Sequence, residues 1–125
     1  MEAITGSMTG AMRFVDSDHS RLMSRAMDTY TLRQRITASN IANADTPGYN
    51  RNEVRFEDEL QQVRIRDSGR ALHEVTPSIE LTDQPVVLED ELLEMSDTQI
   101  RVNLVTRSLR HHFDMLRTGI TGVNR

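Results

Sequence analysis

The chain has 125 residues with 15 arginines, no lysine, 19 acidic side chains, a formal charge of −4 and no cysteine. Five aromatic residues and seven methionines are few among its 37% hydrophobic positions, so material for a self-sufficient globular core is short. The acidic balance argues against a nucleic-acid binder, whose affinity rests on a basic face, and the lack of thiols excludes a disulfide scaffold, thiolate metal sites and a cysteine nucleophile.

One domain in four parts is expected. Residues 1–17 are rich in Gly, Ser, Thr and Met without periodicity, and read as a flexible arm that orders on contact with something else. They open with an acid rather than a basic stretch, which does not fit a secretory signal peptide. Nowhere do 18 consecutive apolar residues occur, so no membrane span is expected. Residues 18–49 read as a long helix and a turn. Apolar side chains recur at helical spacing in Leu22/Ala26, Met23/Met27/Tyr30, Leu32/Ile36 and Ala38/Ile41/Ala42. Asp18 or Ser20 is expected to cap the start, and Asn43, Asp45 and Pro47 to stop the pattern near residue 44.

Residues 50–87 form a polar connector with little regular structure expected. Glu57 to Val63 suits a short helix, Asp67-Ser68-Gly69 a turn, and Val75, Ile79 and Leu81 extended chain. Residues 88–125 hold the clearest signal. Alternating steps of four and three give Leu88, Leu92, Met95, Gln99, Val102, Thr106, Leu109, Phe113, Leu116 and Ile120, a heptad stripe with only Gln99 and Thr106 polar. Acids crowd its start and arginines its later turns, which suits the helix macrodipole. Leu93, Ile100, Leu104, Val105 and Met115 form a second apolar strip that one facing helix cannot cover.

The expected fold is therefore mainly α: two long terminal helices in an antiparallel coiled-coil-like hairpin, joined by an irregular connector and completed by assembly with other chains. Aligning Ile41 with Leu92 puts Gln34 near Gln99 and Tyr30 near Val102 and Asn103. Catalytic signals are missing. His111 and His112 are not spaced as an i, i+4 metal pair, the carboxylates lie in exposed-looking polar runs, and no phosphate loop, nucleophile elbow or His-Glu-x-x-His pattern occurs. No enzyme, metal or cofactor is expected. Arg33 and Arg35 with Arg25 suggest an anion patch, but solvated helix surface or inter-subunit ion pairs is the favoured reading.

One stretch stands out, Ala38-Ser39-Asn40-Ile41-Ala42-Asn43-Ala44-Asp45-Thr46-Pro47-Gly48-Tyr49. Thr46 to Tyr49 has the composition of a type II turn, with Pro47 and Gly48 in its centre. Asn40 and Asn43 are poor helix-interior residues, and their amides beside small alanines suggest bonds to the backbone of an adjoining segment. An ordinary helix stop before a turn accounts for the same residues.

This run, after Arg33 and Arg35 on a long helix, resembles the N-terminal signature of bacterial flagellar rod and hook axial proteins. The resemblance extends over residues 20–60 and 86–122. It implies a non-enzymatic structural subunit of the proximal basal-body rod, in which Asn40, Ile41, Ala42, Asn43, Thr46, Pro47, Gly48 and Tyr49 fix the chain's exit from the first helix. The stripe from Leu88 to Ile120 would supply the assembly surface. It also implies export through the flagellar secretion gate without a cleaved signal and a place in the rod across the periplasm. The implied partners are copies of itself, FlgC-like rod proteins, the rod-base adaptor FliE, the membrane-supramembrane ring and the export gate. A different class of reading is a soluble helical-hairpin adaptor or export chaperone that holds a partner helix in its groove.

Overall fold

A computed structural model describes residues 18–66 and 71–121, with the side chains of residues 120 and 121 left undescribed. The expected arm over residues 1–17, the turn at Asp67-Ser68-Gly69 and the side chain of Ile120 therefore lie outside the described residues. In chain order the elements are α1 (Ser20–Ala42), β1 (Asn50–Arg55), α2 (Glu57–Arg66), a 3-10 turn (Leu72–Glu74), β2 (Ser78–Pro85) and α3 (Leu88–Thr121). The architecture is mainly helical with one small two-stranded sheet.

Helix α1 begins without the expected side-chain cap. His19 in front of it already has helical backbone angles (φ −67°, ψ −47°), so neither Asp18 nor Ser20 occupies a capping geometry. The Asp18 carboxylate instead lies 3.6 Å from Nδ1 of His73. The far end closes as the asparagine pattern suggests. The Asn43 backbone N–H donates to the Ser39 and Asn40 carbonyls, its side-chain amide donates to the Ser39 carbonyl at 2.9 Å, and the Thr46 hydroxyl donates to Oδ1 of Asn43. Asn43 thus satisfies carbonyls that a helix end leaves orphaned.

The connector holds more regular structure than the sequence suggests. β1 and β2 pair antiparallel with Arg55 opposite Ser78, Val54 opposite Ile79, Glu53 opposite Glu80 and Asn52 opposite Leu81; an irregularity then brings Asn50 opposite Pro85. Sequence reading misses this pair for a physical reason. Neither Asn50–Arg55 nor Ser78–Pro85 shows a buried face alternating along its length, the pattern that marks a half-buried strand. Polar groups hold the ladder together instead, among them the Thr82 hydroxyl, which donates to the Arg51 carbonyl at 2.8 Å. The short helix expected over residues 57–63 is α2, with Glu57, Asp58 and Glu59 in its first turn and Arg64 and Arg66 in its last.

Helices α1 and α3 meet along their length with residue numbers running in opposite senses. Asn40 bonds Glu91, Gln34 donates to Gln99 at 3.2 Å, and the rings of His19 and His112 are 5.0 Å apart. The Gln34–Gln99 contact is the one the aligned register anticipates. The face of α3 turned inward differs from the expected one. Glu91 and Thr98 are buried, and Met95, Val102, Val105, Leu109, His112 and Leu116 half-buried, whereas Leu88, Leu92, Gln99 and Phe113 of the expected stripe stay exposed. Half of the heptad is kept and the other half moves round by one residue. Glu91 and Thr98 take the inward positions that Leu92 and Gln99 were expected to hold, because hydrogen-bonding partners for Glu91 wait on α1 and β1.

The apolar core is correspondingly small. Among the described residues Tyr30, Val54, Phe56 and Val75 are the buried hydrophobic side chains, beside six buried polar or charged ones: Thr29, Arg33, Thr37, Asn40, Glu91 and Thr98. Among the described residues no helix is long and apolar enough to cross a membrane.

Candidate functional site

The standout motif folds into a junction centred on Asn40, which is 1% exposed. Its Nδ2 donates to the Asn52 carbonyl at 2.8 Å and to Oε2 of Glu91 at 3.2 Å. Its Oδ1 accepts from the Asn52 backbone N–H at 3.0 Å and from the Tyr49 hydroxyl at 3.3 Å. The amide thus pairs with both backbone groups of Asn52, as a neighbouring strand would, and closes the outer edge of β1 from within α1. All four of its bonding positions are used.

Glu91, also 1% exposed, carries the junction on to α3. Its Oε1 accepts from Nε of Arg51 at 2.8 Å, and Arg51 donates in turn to Glu53 at 3.2 Å. Burial works against the Arg51 charge, but the bonds and attraction from Glu91 and Glu53 outweigh it and raise its pKa. An acid buried in this way is costly unless paired and hydrogen-bonded, and here Arg51 pairs with one oxygen and the Asn40 amide bonds the other.

A second tie lies two turns earlier on α1. Arg33 forks onto both oxygens of Glu57 at 2.7 Å each, donates to the Val54 carbonyl at 3.1 Å, and has its Nε 3.6 Å from Glu94. Its guanidinium also stands 5.7 Å from the centre of the Tyr30 ring. One planar side chain therefore joins α1 to β1, α2 and α3, which a lysine cannot reproduce. Burial pushes the Glu57 carboxyl up, yet the Arg33 bond and charge, with Arg101 3.5 Å away, hold it below its ordinary 4.5.

Between junction and sheet, the Tyr49 N–H donates to the Thr46 carbonyl at 3.2 Å and Gly48 has φ 75°, as a type II turn requires. Thr46, Pro47 and Gly48 are exposed, Ile41 and Tyr49 half-buried and Ala42 exposed, so the motif meets the junction through Asn40, Asn43 and Tyr49.

Two readings of the sequence are corrected here. Arg33 is neither solvated nor set aside for another chain, because its fork is closed by Glu57. Nor are all carboxylates exposed, because Glu91 is buried. Sequence reasoning also missed Arg51 and Asn52. A usable signal was the seven-residue spacing of Glu91, Thr98, Val105 and His112, a heptad position in its own right.

The junction leaves little room for a substrate. The cleft beside Arg33, Thr37, Arg51 and Glu94 measures about 230 Å³, and its polar groups are already engaged with one another. A larger open cavity of about 660 Å³ lies between the start of α1, the 3-10 turn and α3, lined by Asp18, His19, Leu22, Leu72, His73 and His112. Among the described residues no group of three or more His, Asp or Glu is placed to hold a metal ion. What the molecule offers outward is the far side of α3, where Leu93, Ile100, Leu104 and Met115 are between 58% and 69% exposed. Of the second strip only Val105 is turned partly inward.

A family match covers the motif, and individual relatives share parts of the chain. Residues 22–50 match the family described as Flagella basal body rod protein. The chain is similar to Flagellar basal body rod protein FlgB of Salmonella typhimurium (strain LT2), 46% identical over 46 residues, or 37% of this chain and 33% of the relative. The protein of the same name from Borreliella burgdorferi is 35% identical over 66 residues, 53% of this chain and 45% of the relative. That from Escherichia coli K12 is 44% identical over 46 residues, again 37% and 33%. The aligned stretch thus spans less than half the length of these relatives.

Proposed function

We infer that this chain is a non-enzymatic structural subunit of the bacterial flagellar basal-body rod, related to the FlgB proteins it resembles. The observation that carries the reading is the apolar strip Leu93, Ile100, Leu104 and Met115, left in water on a helix whose other side is already occupied. Covering what is still exposed of four such side chains is worth about 4–7 kcal/mol, a gain that docking against another chain supplies. The finer features belong to the same reading. α1 and α3 act as an antiparallel, coiled-coil-like hairpin, and copies stack through the α3 face by contacts that do not close into a ring of two, which builds a tube. In that tube the subunit lines an export channel, transmits torque across the periplasm and meets FlgC-like rod proteins, the adaptor FliE, the membrane-supramembrane ring and the export gate. Its small core suits passage through that gate as an unfolded chain without a cleaved signal. The motif from Asn40 to Tyr49 is the internal brace that fixes how the connector leaves the hairpin.

The test replaces Leu93 and Ile100 together by Asp in a strain lacking the wild-type copy. Neither side chain is buried, so helix content measured by circular dichroism stays as in the parent, while incorporation into isolated basal bodies and swimming are lost. Normal basal bodies in that double variant would overturn the proposal.

A further inference from the structure

Beyond the outer strip, the two ends of α3 differ in charge and both leave apolar side chains uncovered. Near its start, a groove of about 400 Å³ runs between the end of β2 and the first turns of α3, lined by Gln84, Pro85, Val87, Asp90, Glu91 and Glu94, with Arg51 at its base. Three carboxylates against one guanidinium give it a net charge of −2, and Val87 is 45% exposed at its rim. Asp90 has no ion-pair partner among the described residues, and neither does Asp83 at the nearby turn of β2. Near the other end Phe113 is 51% exposed. Arg110, one turn before it on the same flank, and Arg107 likewise have no ion-pair partner among the described residues.

These complementary surfaces cannot meet within one chain. Asp90 and Arg110 are separated by 20 positions on one continuous helix, roughly 30 Å. We propose that the Arg110–Phe113 corner of one copy seats in the β2–α3 groove of a second copy, with Arg110 facing Asp90 and the Phe113 ring against Val87 and Pro85. The contact uses two different patches, so in a pair one copy keeps its groove free and the other its corner, and further copies add head to tail. The inference rests on the rod reading and adds to it a defined polarity.

The test uses the purified full chain, whose sequence has no cysteine of its own. Chains carrying Gln84→Cys are mixed with chains carrying Asp114→Cys under mild oxidation, and disulfide-linked dimers are read on a non-reducing gel. Mixed dimers are expected to exceed either like-with-like dimer about tenfold, equivalent to about 1.4 kcal/mol of preference. Adding Asp90→Arg to the first chain, or Arg110→Glu to the second, removes that excess, and making both changes together restores it. Mixed dimers no commoner than like dimers, or a double reversal that fails to restore them, would overturn the contact. Failure here with normal basal bodies refutes this contact alone, whereas correct cross-linking in a chain absent from basal bodies refutes the rod reading.

Discussion

The two halves of the α1–α3 pair are built on different principles. Around Asn40 the helices, turn and sheet are held by hydrogen bonds and ion pairs, each with a defined partner, and Asn40 and Glu91 are almost wholly buried. Toward His19 and His112 the ties are fewer: ring contact, the Asp18–His73 approach, the Arg25 bond to the His73 carbonyl and half-buried Leu109, His112 and Leu116 lie beside an open cavity, with Phe113 and Met115 in solvent. Directional bonds specify one geometry and tolerate no substitute, whereas apolar surface accepts any complementary partner. The braced half fixes the chain's own geometry, and the other half and the outer strip keep apolar surface in water.

The contrast is broken most severely at Glu91. Glu91→Ala leaves Arg51 without its main partner and Asn40 with an unused donor, and is expected to cost about 3–5 kcal/mol, read as the shift in urea denaturation followed by circular dichroism. Asn40→Ala follows, at about 2–4 kcal/mol, since it strands both backbone groups of Asn52 and the Tyr49 hydroxyl. Gly48→Ala costs about 1–2 kcal/mol, because φ 75° is strained for an L side chain. In the other half, Phe113→Ser moves the same transition by less than about 0.5 kcal/mol, as an exposed side chain should.

Acid sharpens the comparison further. Glu57 has a folded pKa below its ordinary 4.5, so the stability it brings is fully present above that value and drains away as pH falls through the lower, folded one. Glu57→Gln is therefore expected to flatten the loss of stability between about pH 6 and about pH 3, measured as denaturation midpoints against pH, while leaving its slope near neutrality unchanged.

Much of this was legible in the chain. Helical spacing located α1 to within about two residues at each end and α3 from its first residue. Pro47-Gly48 announced the turn, and the misfit of asparagines inside a helix pointed to bonds with adjoining backbone, which Asn52 supplies. Extended chain at Ile79 and Leu81 was legible too and lies in β2, but β1, the pairing of the two strands and the inward face of α3 stayed hidden for one shared cause. Periodicity detects apolar burial, and here Glu91, Arg33 and Asn40 are buried through partners distant in sequence. Glu91 looks like any acid in a helix's first turn until its neighbours across space are known.

The corner at Gly48 has one more consequence. Apart from Gly48 itself and its two chain neighbours, no heavy atom lies within 4 Å of where a Cβ on that residue would stand, so the position has room for a side chain and is restricted by handedness. A D-alanine introduced there by chemical synthesis suits the backbone as it is and narrows the options of the unfolded chain, whereas its mirror image narrows them equally but strains the folded turn. The direction in which the strand pair leaves the first helix is thus chosen by chirality rather than by crowding.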